Sequence, residues 1–165
     1  MPFPLSIRGS ISISGAAANV SDDAIIIACV DQLEHEGARV VSRGDGSLSF
    51  VVPFFGLGYS WRFTAPLSAG SLEIAREAGP GRRLTYDFST RRLTLMGTAM
   101  MGGLLAFDAF KGFGELPWEV PVVGWLWLVG ANYSLTYARA ESWVRGRVTE
   151  AVKASAALAT AAHKA

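Results

Sequence analysis

Leu93-Thr-Leu-Met-Gly-Thr-Ala-Met-Met-Gly-Gly-Leu-Leu-Ala-Phe-Asp-Ala-Phe110 and Pro121-Val-Val-Gly-Trp-Leu-Trp-Leu-Val-Gly-Ala-Asn-Tyr-Ser-Leu-Thr-Tyr-Ala138 are the two apolar segments on which the reading of this chain turns. The first carries one charge, Asp108, near its end; the second carries none, and its strongest polar group is Asn132. As a helix each would extend roughly 27 Å, at the short end of what crosses a hydrocarbon core of about 30 Å. The pair predicts a transmembrane helical hairpin over residues 91–140, with spans at 93–110 and 121–138. The competing reading is a buried helical pair inside a globular domain.

The flanks favour the membrane. Arg91 and Arg92 precede the first segment, and Arg139, Arg145 and Arg147 follow the second. The connecting loop, Lys111 to Val120, has one lysine and two glutamates. A Lys/Arg excess outside the two segments predicts both termini in the cytoplasm. Trp118, Trp125 and Trp127 gather at the loop end, and Tyr133 and Tyr137 at the other, where amphipathic rings suit a membrane interface. Arg91, Arg92, Arg139 and these tryptophans are the expected interfacial anchors. Small residues recur every four positions, as Thr98, Gly102 and Ala106 in the first segment and Gly130, Ser134 and Ala138 in the second. Such stripes let helix backbones approach closely, against each other or against a partner. Asn132 would hydrogen-bond a neighbouring helix, and Asp108 could pair with Lys111 one turn on.

Outward from these segments the chain changes character. Residues 1–90 read as a cytoplasmic α+β domain. From Phe3 to Ser14, apolar residues alternate with serines and Arg8, the period of a half-buried strand. Ser21-Asp-Asp opens a helix with a cap and two charges suited to the dipole, and Gly37 closes it. Arg39 to Ser42, Ser47 to Pro53, Tyr59 to Ala65, Ser71 to Glu77 and Arg82 to Ser89 read as short strands between turn signals. The expected domain is an antiparallel sheet of about six short strands with one packed helix. The order is similar to that of helix-grip or START-like lipid-binding domains, in which a curved sheet wraps a long helix. A second short helix and a seventh strand are missing, and the apolar segments stand where that pattern has its long C-terminal helix. Residues 141–165 read as a cytoplasmic C-terminal helix and tail with a thin apolar stripe.

Half of the chain is hydrophobic and 18% is charged, a skew the two segments largely account for. The net charge of +1 provides no field for nucleic acid. The start lacks the basic and apolar run of a signal peptide. Cys29 stands alone on an apolar helix face, and His35 and His163 lie far apart, so neither a disulfide nor a metal site is expected. Glycine pairs such as Gly44-Asp-Gly lack a full phosphate-binding fingerprint. Gly79-Pro-Gly-Arg-Arg reads as a turn, and the arginines at 82, 83, 91 and 92 are candidates for headgroup contact.

With no catalytic constellation and no cofactor motif, the expectation is a non-catalytic accessory or scaffolding subunit. It would dock on a larger integral-membrane complex, respiratory, photosynthetic or similar, in a bacterial inner membrane and among its lipids. The alternative is a membrane-anchored module holding a lipid or other apolar ligand against Phe50, Tyr59, Trp61, Phe63, Tyr86 and Phe88.

Overall fold

Period-two alternation builds a sheet whose two faces differ. The computed structural model describes residues 5–53, 63–76, 81–111 and 117–162. Five strands, β1 (Ser6–Ile13), β2 (Arg39–Gly44), β3 (Ser47–Val51), β4 (Ala69–Arg76) and β5 (Arg82–Ser89), form one antiparallel sheet in the order β1-β5-β4-β3-β2. Ile7, Ile11, Leu48, Phe50, Leu72, Leu84 and Phe88 are buried on one face. Arg8, Ser10, Ser71, Glu73, Thr85 and Asp87 lie on the other. Each buried aliphatic or aromatic side chain stabilises the fold by about 1.5–3 kcal/mol relative to exposure.

Two helices cover the apolar face. Helix α1 (Asp22–His35) starts at Ser21, whose hydroxyl accepts from Ala24 N at 3.2 Å, and buries Ile25, Ile26, Cys29 and Leu33. Helix α4 (Asn132–Ala162) lies beside it and buries Ala140, Val144, Val148 and Ala151. The inner face is uneven because rings need room. A Cβ on Gly70 would stand 2.6–2.7 Å from the rings of Phe50 and Phe88, and one on Gly9 would meet the Tyr86 ring. Only glycine lets these aromatics lie flat against the strands.

Two long-range polar anchors fix the layers. Arg82 pairs with Asp22 and donates to the carbonyls of Ala17 (2.8 Å), Ala18 (3.1 Å) and Val20 (2.7 Å), tying β5 to the start of α1. The Glu36 carboxylate accepts from Gln32 Nε2 at 2.8 Å, Trp143 Nε1 at 3.0 Å and Thr64 N at 3.2 Å, tying the end of α1 to α4. Trp143 also stacks on Phe63, with centroids 5.1 Å apart.

Between β5 and α4 the chain makes an excursion. Helix α2 (Arg91–Lys111) leads out, and α3 (Glu119–Trp125) leads back through a π-helical segment (Leu126–Ala131) into α4. The two-helix transmembrane hairpin expected from the sequence is not what the structure shows. Among the described residues one helix, Arg91–Phe110, is long and apolar enough to cross a membrane. The second apolar segment is no single helix: it is split between α3, the π segment and the opening turns of α4. Its last third belongs to the globular domain, with Tyr133 packed on the core and Thr136 buried. Residues 121–132 remain, roughly 18 Å as helix, well short of a 30 Å hydrocarbon core.

Three further corrections concern the sheet and its cover. Among the described residues it has five strands, not about six: of the expected Tyr59–Ala65 strand, residues 63–65 are turn and 59–62 lie outside the described residues. Two helices pack on it, not one. The C-terminal helix expected over 141–165 begins earlier, since α4 runs unbroken from Asn132 to Ala162 and takes in the end of the second apolar segment.

Cys29 reports on this core. Burial pushes its thiol up to about 12, against a smaller opposing pull from the Arg147 guanidinium. The folded chain therefore keeps a proton that the unfolded chain sheds above pH ~9, so this group's stabilisation falls as pH rises from about 9 toward 12. Urea unfolding at pH 8.5 and 10.5 is expected to show the wild type losing roughly 2 kcal/mol more than Cys29→Ala across that interval. Equal losses would mean that the thiol titrates normally.

Candidate association surface

Helix α2 is apolar on nearly every side. Leu95, Met96, Met100, Leu104, Leu105, Phe107 and Phe110 are all exposed, Phe110 at 88%. At 100° per residue six of the seven fall within one half of the circumference, with only Leu105 beyond it, a face wider than a single packing stripe. The returning arm adds Trp118 at 68%, Val122, Val123, Leu126 and Trp127 at 73% exposure. Among the described residues, thirteen of the twenty large apolar side chains that are exposed lie between Leu95 and Trp127. The exposed apolar side chains are therefore concentrated on two packed helical elements, the kind of concentration that marks an association site.

The two arms meet through a narrow seam. Gly97 is buried because Val129 sits against it: an added Cβ would stand 2.4 Å from Val129 Cγ2. Trp125 Nε1 donates to Thr98 Oγ1 at 3.1 Å. Met101 Sδ lies over Gly124, 3.4 Å from where its Cβ would be. As the α2 number rises the partner number falls, so the arms are antiparallel.

The residues singled out from the sequence fall unevenly on this frame. Thr98 is in the seam, but Gly102 and Gly130 have nothing within 4 Å of an added Cβ. Ala106, Ser134 and Ala138 are exposed as well. Apart from Thr98 the small-residue stripes thus lie open, while the seam uses Gly97 and Gly124. Asn132 Nδ2 donates to Leu128 O at 2.6 Å, a local bond back to the preceding π-helical turn and not to a neighbouring helix. Thr136 likewise donates locally, to Asn132 O at 2.6 Å. Asp108 is half-buried; the side chain of its expected partner, Lys111, lies outside the described residues.

The expected anchors divide as well. Trp118 and Trp127 are exposed, and Trp125 is turned into the seam. Arg91 and Arg139 are exposed; Arg92 is half-buried and donates to Pro53 O at 2.8 Å, clamping the foot of α2 to the sheet domain. Arg82 serves the fold, not a headgroup. The aromatics proposed to line a ligand cavity are packed together: Phe63 and Tyr86 each lie against Phe88 at 5.4 Å and 5.1 Å between centroids. Tyr59 and Trp61 lie outside the described residues.

Among the described residues, two hollows lie elsewhere. One, of about 540 Å³, spans the polar outer face of the sheet around the Arg8–Asp87 pair. The other, of about 450 Å³, is a groove between α1 and α4 lined by Ile27, Ala28, Ala151, Ala154 and Leu158. Among the described residues no group of three or more His, Cys, Asp or Glu is placed to hold a metal ion. No family model, curated protein or solved structure matches the chain.

The seam gives a clean comparison. Gly97→Leu, which drives a side chain into Val129, is expected to lower stability by about 2 kcal/mol. Gly102→Leu points into open space and should stay within about 0.5 kcal/mol of wild type. Thermal unfolding of both variants in one detergent distinguishes them; equal effects would mean that the arms do not pack through Gly97.

Proposed function

We propose that this chain is a non-catalytic, membrane-associated accessory subunit whose apolar helical layer, α2 with the α3–π arm, is sheltered by membrane lipid and a larger integral-membrane assembly. The sheet domain would remain on the cytoplasmic face of a bacterial inner membrane. The observation that carries this reading is the concentration of exposed large apolar side chains on one excursion of the chain, against a sheet domain whose outer face is polar. Water around such a layer is unfavourable in proportion to its apolar area, and a bilayer or an apolar partner removes that cost. The open small-residue positions, Gly102, Ala106 and Gly130, are where a partner helix could approach closely. The host could be a respiratory, photosynthetic or similar complex.

The test is extraction of the full chain from native membranes in mild detergent by a C-terminal affinity tag, with everything retained identified. The expected result is recovery from the membrane fraction with a stoichiometric set of integral-membrane proteins. Recovery from the membrane as a clean monomer would contradict the accessory role. Recovery in the soluble fraction would contradict membrane association itself.

A further inference from the structure

The strand register brings Ser6, Ser89, Ala69, Val51 and Arg39 into one row across the sheet. This is the end of the sheet from which α2 departs, two residues after Ser89. It is fastened to the foot of α2 by Thr90 N donating to Leu5 O at 2.8 Å and by the Arg92–Pro53 bond. Leu5 (43%) and Val51 (39%) are exposed on this rim.

The arginines sort by position. Arg8, Arg43, Arg82, Arg145 and Arg147 are each in an ion pair. Arg39 and Arg91, exposed at the rim, have no such partner among the described residues. Arg139 is the third at this end; Arg76, at the opposite end of the sheet, is likewise exposed and without an ion-pair partner among the described residues. Arg139 lies on α4 between Tyr133, which packs on the core, and Trp143, which donates to Glu36 three residues before Arg39. One carboxylate at this end, Glu36, is committed to Trp143, Gln32 and Thr64; Glu34 is exposed nearby. The far tip of the layer carries Asp108 and the exposed Glu119.

The geometry points to a headgroup-binding collar: Arg39, Arg91 and Arg139 contact anionic phospholipid headgroups and hold the sheet end-on to the membrane, with its strands directed toward the bilayer. This rests on the membrane reading of the apolar layer. Free cations beneath an apolar layer, with carboxylates at its tip, complement a negatively charged surface on the side where the sheet domain stands. Each such cation raises partitioning roughly fivefold, so three together contribute on the order of 100-fold.

Flotation of the full chain, diluted from detergent, with vesicles of phosphatidylcholine alone or mixed with phosphatidylglycerol tests the collar. The wild type should bind both and prefer the phosphatidylglycerol vesicles. The triple variant Arg39→Gln, Arg91→Gln, Arg139→Gln should keep its phosphatidylcholine binding and lose the preference, by roughly 100-fold. Arg76→Gln, at the opposite end of the sheet beside Arg82, should keep it. Equal wild-type binding to both vesicles, or a preference that survives the triple variant or is lost equally in Arg76→Gln, overturns the collar alone. Failure to bind either vesicle overturns the membrane reading and the collar with it.

Discussion

Helix α4 is the constraint from which the rest follows. The apolar face of the sheet needs a second helix beside α1, and that helix comes last in the chain. Its buried positions, Ala140, Val144, Val148 and Ala151, complete the core, and the Trp143–Glu36 bond fixes it to the end of α1. Everything between β5 and α4 must therefore leave and re-enter at one end of the sheet. The excursion is clamped at both feet, by Arg92 on Pro53 and by Tyr133 on the core. Its position relative to the domain is set by these contacts, while the seam joins its two arms to each other.

That geometry separates two environments within 165 residues. On the domain side, burial and hydrogen bonding follow the rules of a water-soluble α+β fold, with apolar groups inside and ion pairs outside. On the excursion the order is largely reversed: most Leu, Met, Phe, Trp and Val side chains face outward, and the seam closes where Val129, Trp125 and Met101 meet Gly97, Thr98 and Gly124. The reversal is understandable when the surroundings are apolar, because lipid then gives no reason to bury those side chains. The π segment fits the same picture, since the chain must change register between an arm packed on Gly97 and a helix packed on the sheet.

Much of the sheet domain was legible because its faces differ. The alternation in Ser6–Ile13 and Arg82–Ser89 is the direct imprint of one buried and one wet face, and Ser21 announces its helix locally. The second apolar segment was misread for a definite reason. Hydropathy registers that Tyr133 and Thr136 are not charged; it does not register whether core or lipid surrounds them. The seam was missed because Gly97 and Gly124 interrupt no stripe of their own, whereas the conspicuous stripes proved open. Arg82 and Glu36 were invisible as structural anchors because their partners lie 60 and 107 residues away.

The central claim is that the exposed apolar layer lives in lipid, and Trp127 is the natural probe of it, being 73% exposed on the returning arm. The wild type and Trp127→Phe, each reconstituted into bilayers of brominated and of ordinary phospholipid, isolate the Trp127 emission by difference. The account predicts strong quenching by the brominated chains and little by aqueous iodide. Quenching by iodide with indifference to bromine would place the layer in water and contradict it.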